Sequence, residues 1–137
     1  EQETGTDQVK AGGSVTAILA EITSGDFDIT QKRTASGQTI GMPDLRGDGE
    51  FIMKIRRIIP DFISQTGNTT ITLLLRNYPN DAAAGSSLGP FTVTTTTDKV
   101  DTRARARAVS IKISNTAASQ DWKLGTFRLD IQPDGRR

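Results

Sequence analysis

The stretch "TTITLLLRNY", residues 69–78, decides the fold class. It is β-branched and apolar, it contains no breaker, and Ile71, Leu73 and Leu75 fall on one side of an extended chain. Period-two alternation in such residues predicts a strand with one face in a core. The turn signal "QTGN" (65–68) precedes it, and the Gly- and Pro-containing "PNDAAAGSSLGP" (79–90) follows and reads as a long loop.

The same pattern recurs on both sides of this segment. "EFIMKIRRII" (50–59) has strand character and is stopped by Pro60. "DFDITQ" (26–31) alternates Phe27 and Ile29 with acids, as a half-buried strand does. "SVTAILAEIT" (14–23) reads as a strand or a short helix, ended by "TSGD". "FTVTTTT" (91–97) suits a strand exposed on one side, and "TRARARAVSIKIS" and "KLGTFRLDIQP" (123–133) complete the set. "TASGQTIGMPDLRGDGE" (34–50) is a long loop, and the polar, Gly-rich residues 1–13 read as a flexible arm or linker. Seven or eight short strands separated by turns predict an all-β protein. The expected form is a single antiparallel β-sandwich over residues 14–137, with a small barrel as the alternative and strand far in excess of helix.

The chain has 137 residues, of which 34% are hydrophobic, and a mean hydropathy of −0.39. A chain of this size buries roughly two thirds of its unfolded surface, enough for a core without staples. No stretch approaches the roughly 18 apolar residues of a membrane span. Cysteine and histidine are absent. Disulfides, thiolate nucleophiles, Cys/His zinc sites and the commoner catalytic triads are therefore closed to it. The paired acids Asp26 and Asp28 lack a second site to act with, and the glycine-containing loops lack the lysine of a phosphate-binding loop. These features predict no enzyme activity and no cofactor. The acids of "DLRGDGE" (44–50) lack the calcium-loop pattern and read as a turn. Arg46-Gly47-Asp48 and Asn68-Thr69-Thr70 also read as turns rather than as adhesion or glycosylation signals. Position 1 is Glu rather than Met, which is expected of a fragment of a longer polypeptide.

Net charge is +1, unevenly spread. Residues 1–50 carry nine acids and four bases, whereas residues 99–137 carry nine bases and four acids. The basic end contains Arg103, Arg105 and Arg107, all odd-numbered, followed by Val109, Ile111 and Ile113, also odd. A regular strand would turn arginines and aliphatics the same way. A β-bulge near Ala108 would send them to opposite faces. Alternatively, the first half of a regular strand runs past the core, with the arginines at its rim and Ala104, Ala106 and Ala108 beneath something bulky. In both cases the guanidinium groups reach water or a partner, because burying an unpaired charge costs several kcal/mol. "WKLGTFRLDI" shows a similar phase break at Gly125.

Arginine suits protein docking, since its planar fork grips a carboxylate with two hydrogen bonds. Asp26 and Asp28 offer acids at the matching spacing, from this chain or the next copy. A nucleic-acid surface pairs bases with exposed aromatics, and here aromatics are 5% of the chain. The lone Trp122 reads as an anchor at the sandwich edge with its N–H hydrogen-bonded, or as a sugar-stacking platform of a carbohydrate-binding module.

"FTVTTTTDKVDTRARARAVSIKIS" followed by "DWKLGTFRLDIQPDGRR" resembles the carboxy-terminal segment of short-tailed phage (podovirus) tail proteins of the hub or nozzle type. The shared features are the Thr-rich strand, D-T-R-x-R-x-R, an apolar strand, W-x-L-G, R-L-D and the terminal D-G-R-R ending in Arg136 and Arg137. They cover about residues 88–137. In that family the segment closes a much longer chain, often one with a β-propeller portion. The resemblance implies a virion structural protein, made in the host cytoplasm and present in several copies around the tail axis. It implies no catalysis. Its partners would be other copies in a ring and neighbouring tail proteins, with non-specific contact to passing DNA as a further expectation. The interface candidates are Arg103, Arg105, Arg107, Asp26, Asp28, Trp122, Arg136 and Arg137.

Overall fold

The computed structural model describes residues 7–29, 51–78, 80, 81 and 86–135, and these contain strands and turns but no helix. The strands are β1 (Asp7–Val9), β2 (Val15–Ala17), β3 (Glu21–Thr23), β4 (Met53–Ile59), β5 (Phe62–Thr66), β6 (Thr69–Arg76), β7 (Ser86–Val93), β8 (Val100–Ala106), β9 (Ala108–Asn115), β10 (Asp121–Leu124) and β11 (Arg128–Pro133). They form a four-stranded sheet ordered β3-β9-β6-β7, a three-stranded sheet β11-β4-β8, and the pairs β10-β5 and β1-β2. Every pairing is antiparallel. The domain is the expected all-β sandwich.

β6 lies inside its sheet because its residues suit burial on a pleated surface. It pairs with β9 without a register shift from Thr69↔Asn115 to Arg76↔Ala108. On its other side the ladder to β7 slips between Ile71 and Leu73, where Gly89 and Pro90 interrupt the rungs. Proline has no N–H to give. Gly89 has φ +118, and a Cβ there would stand 2.8 Å from the Ile71 carbonyl oxygen.

The core is shared by the two sheets. Met53, Ile55, Ile58, Ala104 and Ala106 face Ile71, Leu73, Val93, Val109 and Ile113, and Ile29 joins them. Phe62 closes one side, edge-on to Trp122 and Phe127 at 6.3 and 6.0 Å.

The parity of residues 103–113 is resolved by a change of sheet. β8 belongs to the three-stranded layer and β9 to the four-stranded one, and Arg107 between them donates its N–H to the Arg76 carbonyl at 3.1 Å. Crossing between layers resets the inward parity. Thr102, Ala104 and Ala106 are buried before the crossing, and Val109 and Ile113 after it. Arg103 and Arg105 face out, Arg107 is half-buried at the crossing, the aliphatics face in, and Ala104 and Ala106 pack in the core beneath the row.

The second phase break is a bend. β5 continues β4, and β10 leads into β11, so the β4–β11 and β5–β10 pairs form successive halves of one ribbon. At the bend Gly125 donates to the Asp61 carbonyl at 2.7 Å, and Thr126 N–H to the Asp61 carboxylate at 3.1 Å. A Cβ on Gly125 would meet that carbonyl at 2.9 Å, so only glycine permits the approach.

Several local expectations are corrected. The polar residues expected to be a flexible arm include β1, which pairs Val9 with Val15 of β2, and Asp7 accepts hydrogen bonds from Ser119. Residues 14–23 form two short strands rather than one element, and Phe27 of "DFD" makes only an isolated bridge to Val109. Residues 86–90 are strand rather than loop, because Leu88 pairs with Leu73. Thr94–Thr97 form a turn rather than a strand, closed by the Thr97 N–H to the Thr94 carbonyl and the Thr94 N–H to the Thr97 hydroxyl. Residues 34–50 lie outside the described residues.

Candidate interface on the three-stranded sheet

The outer face of β11-β4-β8 gathers the cations. Arg103 and Arg105 stand exposed on β8, Lys54 and Arg56 on β4, and Arg128 on β11. Lys54 sits directly across from Arg105. Both ladders flanking β4 shift register at Arg56, between Ile55 and Arg57. That irregularity interrupts strict alternation, so Arg57 also reaches the outer side and stands opposite Asp101 on β8 and Asp130 on β11. Thr102, buried beneath, donates its hydroxyl to the Ile55 carbonyl at 2.8 Å and satisfies a group that the shifted ladder leaves open.

Acids neutralise part of this surface. Arg57 Nε donates to Asp101 at 2.8 Å, and Lys99 Nζ approaches the other oxygen of Asp101 at 3.4 Å. Arg105 donates through Nε to the Asp134 carboxylate and through Nη2 to the Asp134 carbonyl. Among the described residues no carboxylate pairs with Lys54, Arg56 or Arg103. Together with Arg57, Asp101 and Asp130 they line an open depression of about 430 Å³. A neighbouring depression of about 310 Å³ is lined by Ile52, Asn77, Tyr78, Arg105 and Arg107, and Tyr78 is 69% exposed beside the two arginines.

The hydrogen bond from Arg57 holds the Asp101 carboxyl below its usual range against a smaller burial effect, with Lys99 adding to the depression. The same hydrogen bond and charge raise the Arg57 guanidinium. A carboxylate with a lowered folded pKa stabilises the fold fully above its unfolded value of about 3.9, and that contribution fades as pH falls through the folded value. Asp101→Asn is therefore expected to flatten the dependence of Tm on pH below about 3.9 and to leave Tm near neutrality almost unchanged, since both partners are exposed. Thermal melts across the acid range check this.

The other candidates lie elsewhere. Asp26 pairs with Arg76 at 2.9 Å rather than with the arginine row, because "DFD" runs beside β9 in the opposite sheet. Asp28 is half-buried next to it. Asp26 is thus engaged by Arg76 rather than by Arg103 or Arg105. Trp122 is half-buried against Phe62, and its indole N–H is buried without an acceptor among the described residues. The expected hydrogen bond is therefore not made there. Arg136 and Arg137 lie outside the described residues.

Sequence reasoning missed Lys54, Arg56, Arg57 and Tyr78. The adjacent pair Arg56-Arg57 was the available signal, since two neighbouring charges in an otherwise alternating strand require an irregularity.

Fold and surface together define an antiparallel β-sandwich domain whose distinguishing feature is a basic strand face. Comparison with protein-family models, with curated proteins and with solved structures finds no match in any of the three.

Proposed function

We propose that the chain is a non-enzymatic structural component of a phage virion tail, of the hub or nozzle type, and that it works by docking. The basic sheet face takes carboxylates and backbone carbonyls of a neighbouring copy or tail protein. The observation that carries this reading is the set Lys54, Arg56 and Arg103, exposed without carboxylate partners among the described residues and mounted on strands whose inner faces are core. Charges held on such rigid elements are preorganised for a partner. The resemblance over residues 88–137 supplies the setting, and it spans β8 to β11 and so includes the arginine row.

Reversing two of these charges tests the docking. Arg103→Glu with Arg105→Glu is expected to lower incorporation into tail particles at least about tenfold, the scale of losing one or two charge-assisted contacts. Circular dichroism should stay unchanged, since both side chains are exposed. Native mass spectrometry of assembled particles should find several copies of the chain. A single copy, or full incorporation of the doubly reversed variant, overturns the proposal.

A second reading, contact with passing DNA, is favoured by Tyr78 standing exposed beside Arg105 and Arg107. A backbone binder loses affinity steeply with salt, and the salt slope of DNA binding by the purified chain separates the two readings.

A further inference from the structure

We infer that the edge of β8 left unpaired among the described residues accepts an extended acidic segment of a partner protein as an additional strand, with the outward arginines selecting it by charge. This inference rests on the docking reading and names the form of the docked partner.

β8 runs seven residues, from Val100 to Ala106. In the order β11-β4-β8 it is the terminal strand, and among the described residues β4 is its only strand partner. Among the described residues, one side of its backbone therefore presents N–H and C=O groups with no strand alongside, which is a template for strand addition. It is one of the longer strands among the described residues, and Thr102, Ala104 and Ala106 anchor its inner face in the core, with the register shift confined to its Asp101–Ala104 half.

Edges of this kind are commonly blunted by charge, which discourages pairing with any chain. Here the charge also selects. Arg103 and Arg105 occupy successive outward positions, about 6.5–7 Å apart along the strand. On an added strand the residues opposite them lie within reach of side-chain pairing, and like charges there are unfavourable. A basic strand is repelled, and a strand with acids at alternate positions matches the row in both spacing and sign. Lys54 and Arg56 on the adjacent strand extend the positive field behind Arg103 and Arg105, and neither has a carboxylate partner among the described residues. A long strand edge and an under-neutralised basic face meet at β8, and an acidic strand satisfies both.

The test uses the purified chain and a short synthetic peptide alternating glutamate with threonine, labelled for fluorescence anisotropy. Two further peptides are N-methylated at alternate residues, one on the odd and one on the even positions. Strand addition uses one set of peptide N–H groups, so one N-methylated peptide is expected to bind at least about tenfold more weakly and the other to bind like the parent. Arg103→Glu with Arg105→Glu is expected to weaken the parent peptide at least about tenfold. If both N-methylated peptides bind like the parent, the contact is by side chains alone. Edge addition then fails while docking stands. Absence of binding by the parent peptide, or tighter binding of a thymidine oligonucleotide of equal charge, also overturns the inference. Particle incorporation remains the separate measure of the docking reading.

Discussion

Leu73→Ala is expected to remove about 3 kcal/mol of stability, within the range of 2–5 kcal/mol for such deletions in packed cores. Leu73 is fully buried on β6, a strand that pairs with neighbours on both sides. It lies opposite Leu88 on one neighbour and Ile111 on the other. The cavity left by truncation is therefore framed by two hydrogen-bonded ladders, and these resist the inward movement that would refill it. The loss is a large share of the roughly 5–15 kcal/mol that a domain possesses. Urea titration should show a lower midpoint with an unchanged slope. A loss below about 1 kcal/mol would mean that the site collapses freely and that β6 is not the rigid centre of the sheet.

Much of this architecture was legible in the residues. β4, β6, β8 and β9 carry local alternation strong enough to be read without knowing their partners. Pro60 was legible as a stop, but the resumption at Phe62 was not. β5 exists because β10 pairs with it, and that pairing joins residues far apart in sequence. At Thr94–Thr97 the hydroxyls override β propensity by bonding nearby backbone, a competition in which threonine often takes part. At Ser86–Pro90 the reverse occurs, and pairing of Leu88 with Leu73 holds a Gly-Pro segment in a sheet.

The candidate interface was legible where it depended on parity alone. Arg103 and Arg105 are exposed as the sequence suggested, but through a change of sheet rather than a bulge or an overrun of the core. The contribution of β4 depends on the shift at Arg56, which no alternation pattern specifies. The partner of Asp26 depends on which sheet its segment joins, and local pattern is silent on that. The exposure of Tyr78 was hidden by its place at the end of an apolar run.

The amino-terminal segment depends on a polar residue where the rest of the fold depends on apolar ones. Asn115, at the end of β9, is 4% exposed. Its side-chain oxygen accepts the Ala20 N–H at 2.6 Å, and its amide donates to the carbonyls of Ile18 at 3.0 Å and Gln120 at 3.3 Å. Its backbone N–H bonds the Ala20 carbonyl at 3.2 Å. One side chain thus joins the chain between β2 and β3 to the turn before β10, in a region where Ile18, Leu19 and Ile22 remain substantially exposed and supply little burial. Asn115→Ala leaves one donor and two acceptors without partners in a part-buried place. At about 1–3 kcal/mol for a stranded group, eased where water enters, the expected loss is about 3 kcal/mol. The loss should also be local. Amide hydrogen exchange at Ala20 and along β3 is expected to accelerate by at least about tenfold relative to β6, because the segment opens without the core. Uniform acceleration across both strands would instead mean that Asn115 supports the sandwich as a whole. Asn115→Asp separates the two roles of the amide, since it retains an acceptor for Ala20 while replacing the donor to Ile18 and Gln120 with an oxygen that repels their carbonyls. Protection at Ala20 that survives Asn115→Asp at neutral pH would assign the hold to the single short bond from the Ala20 N–H.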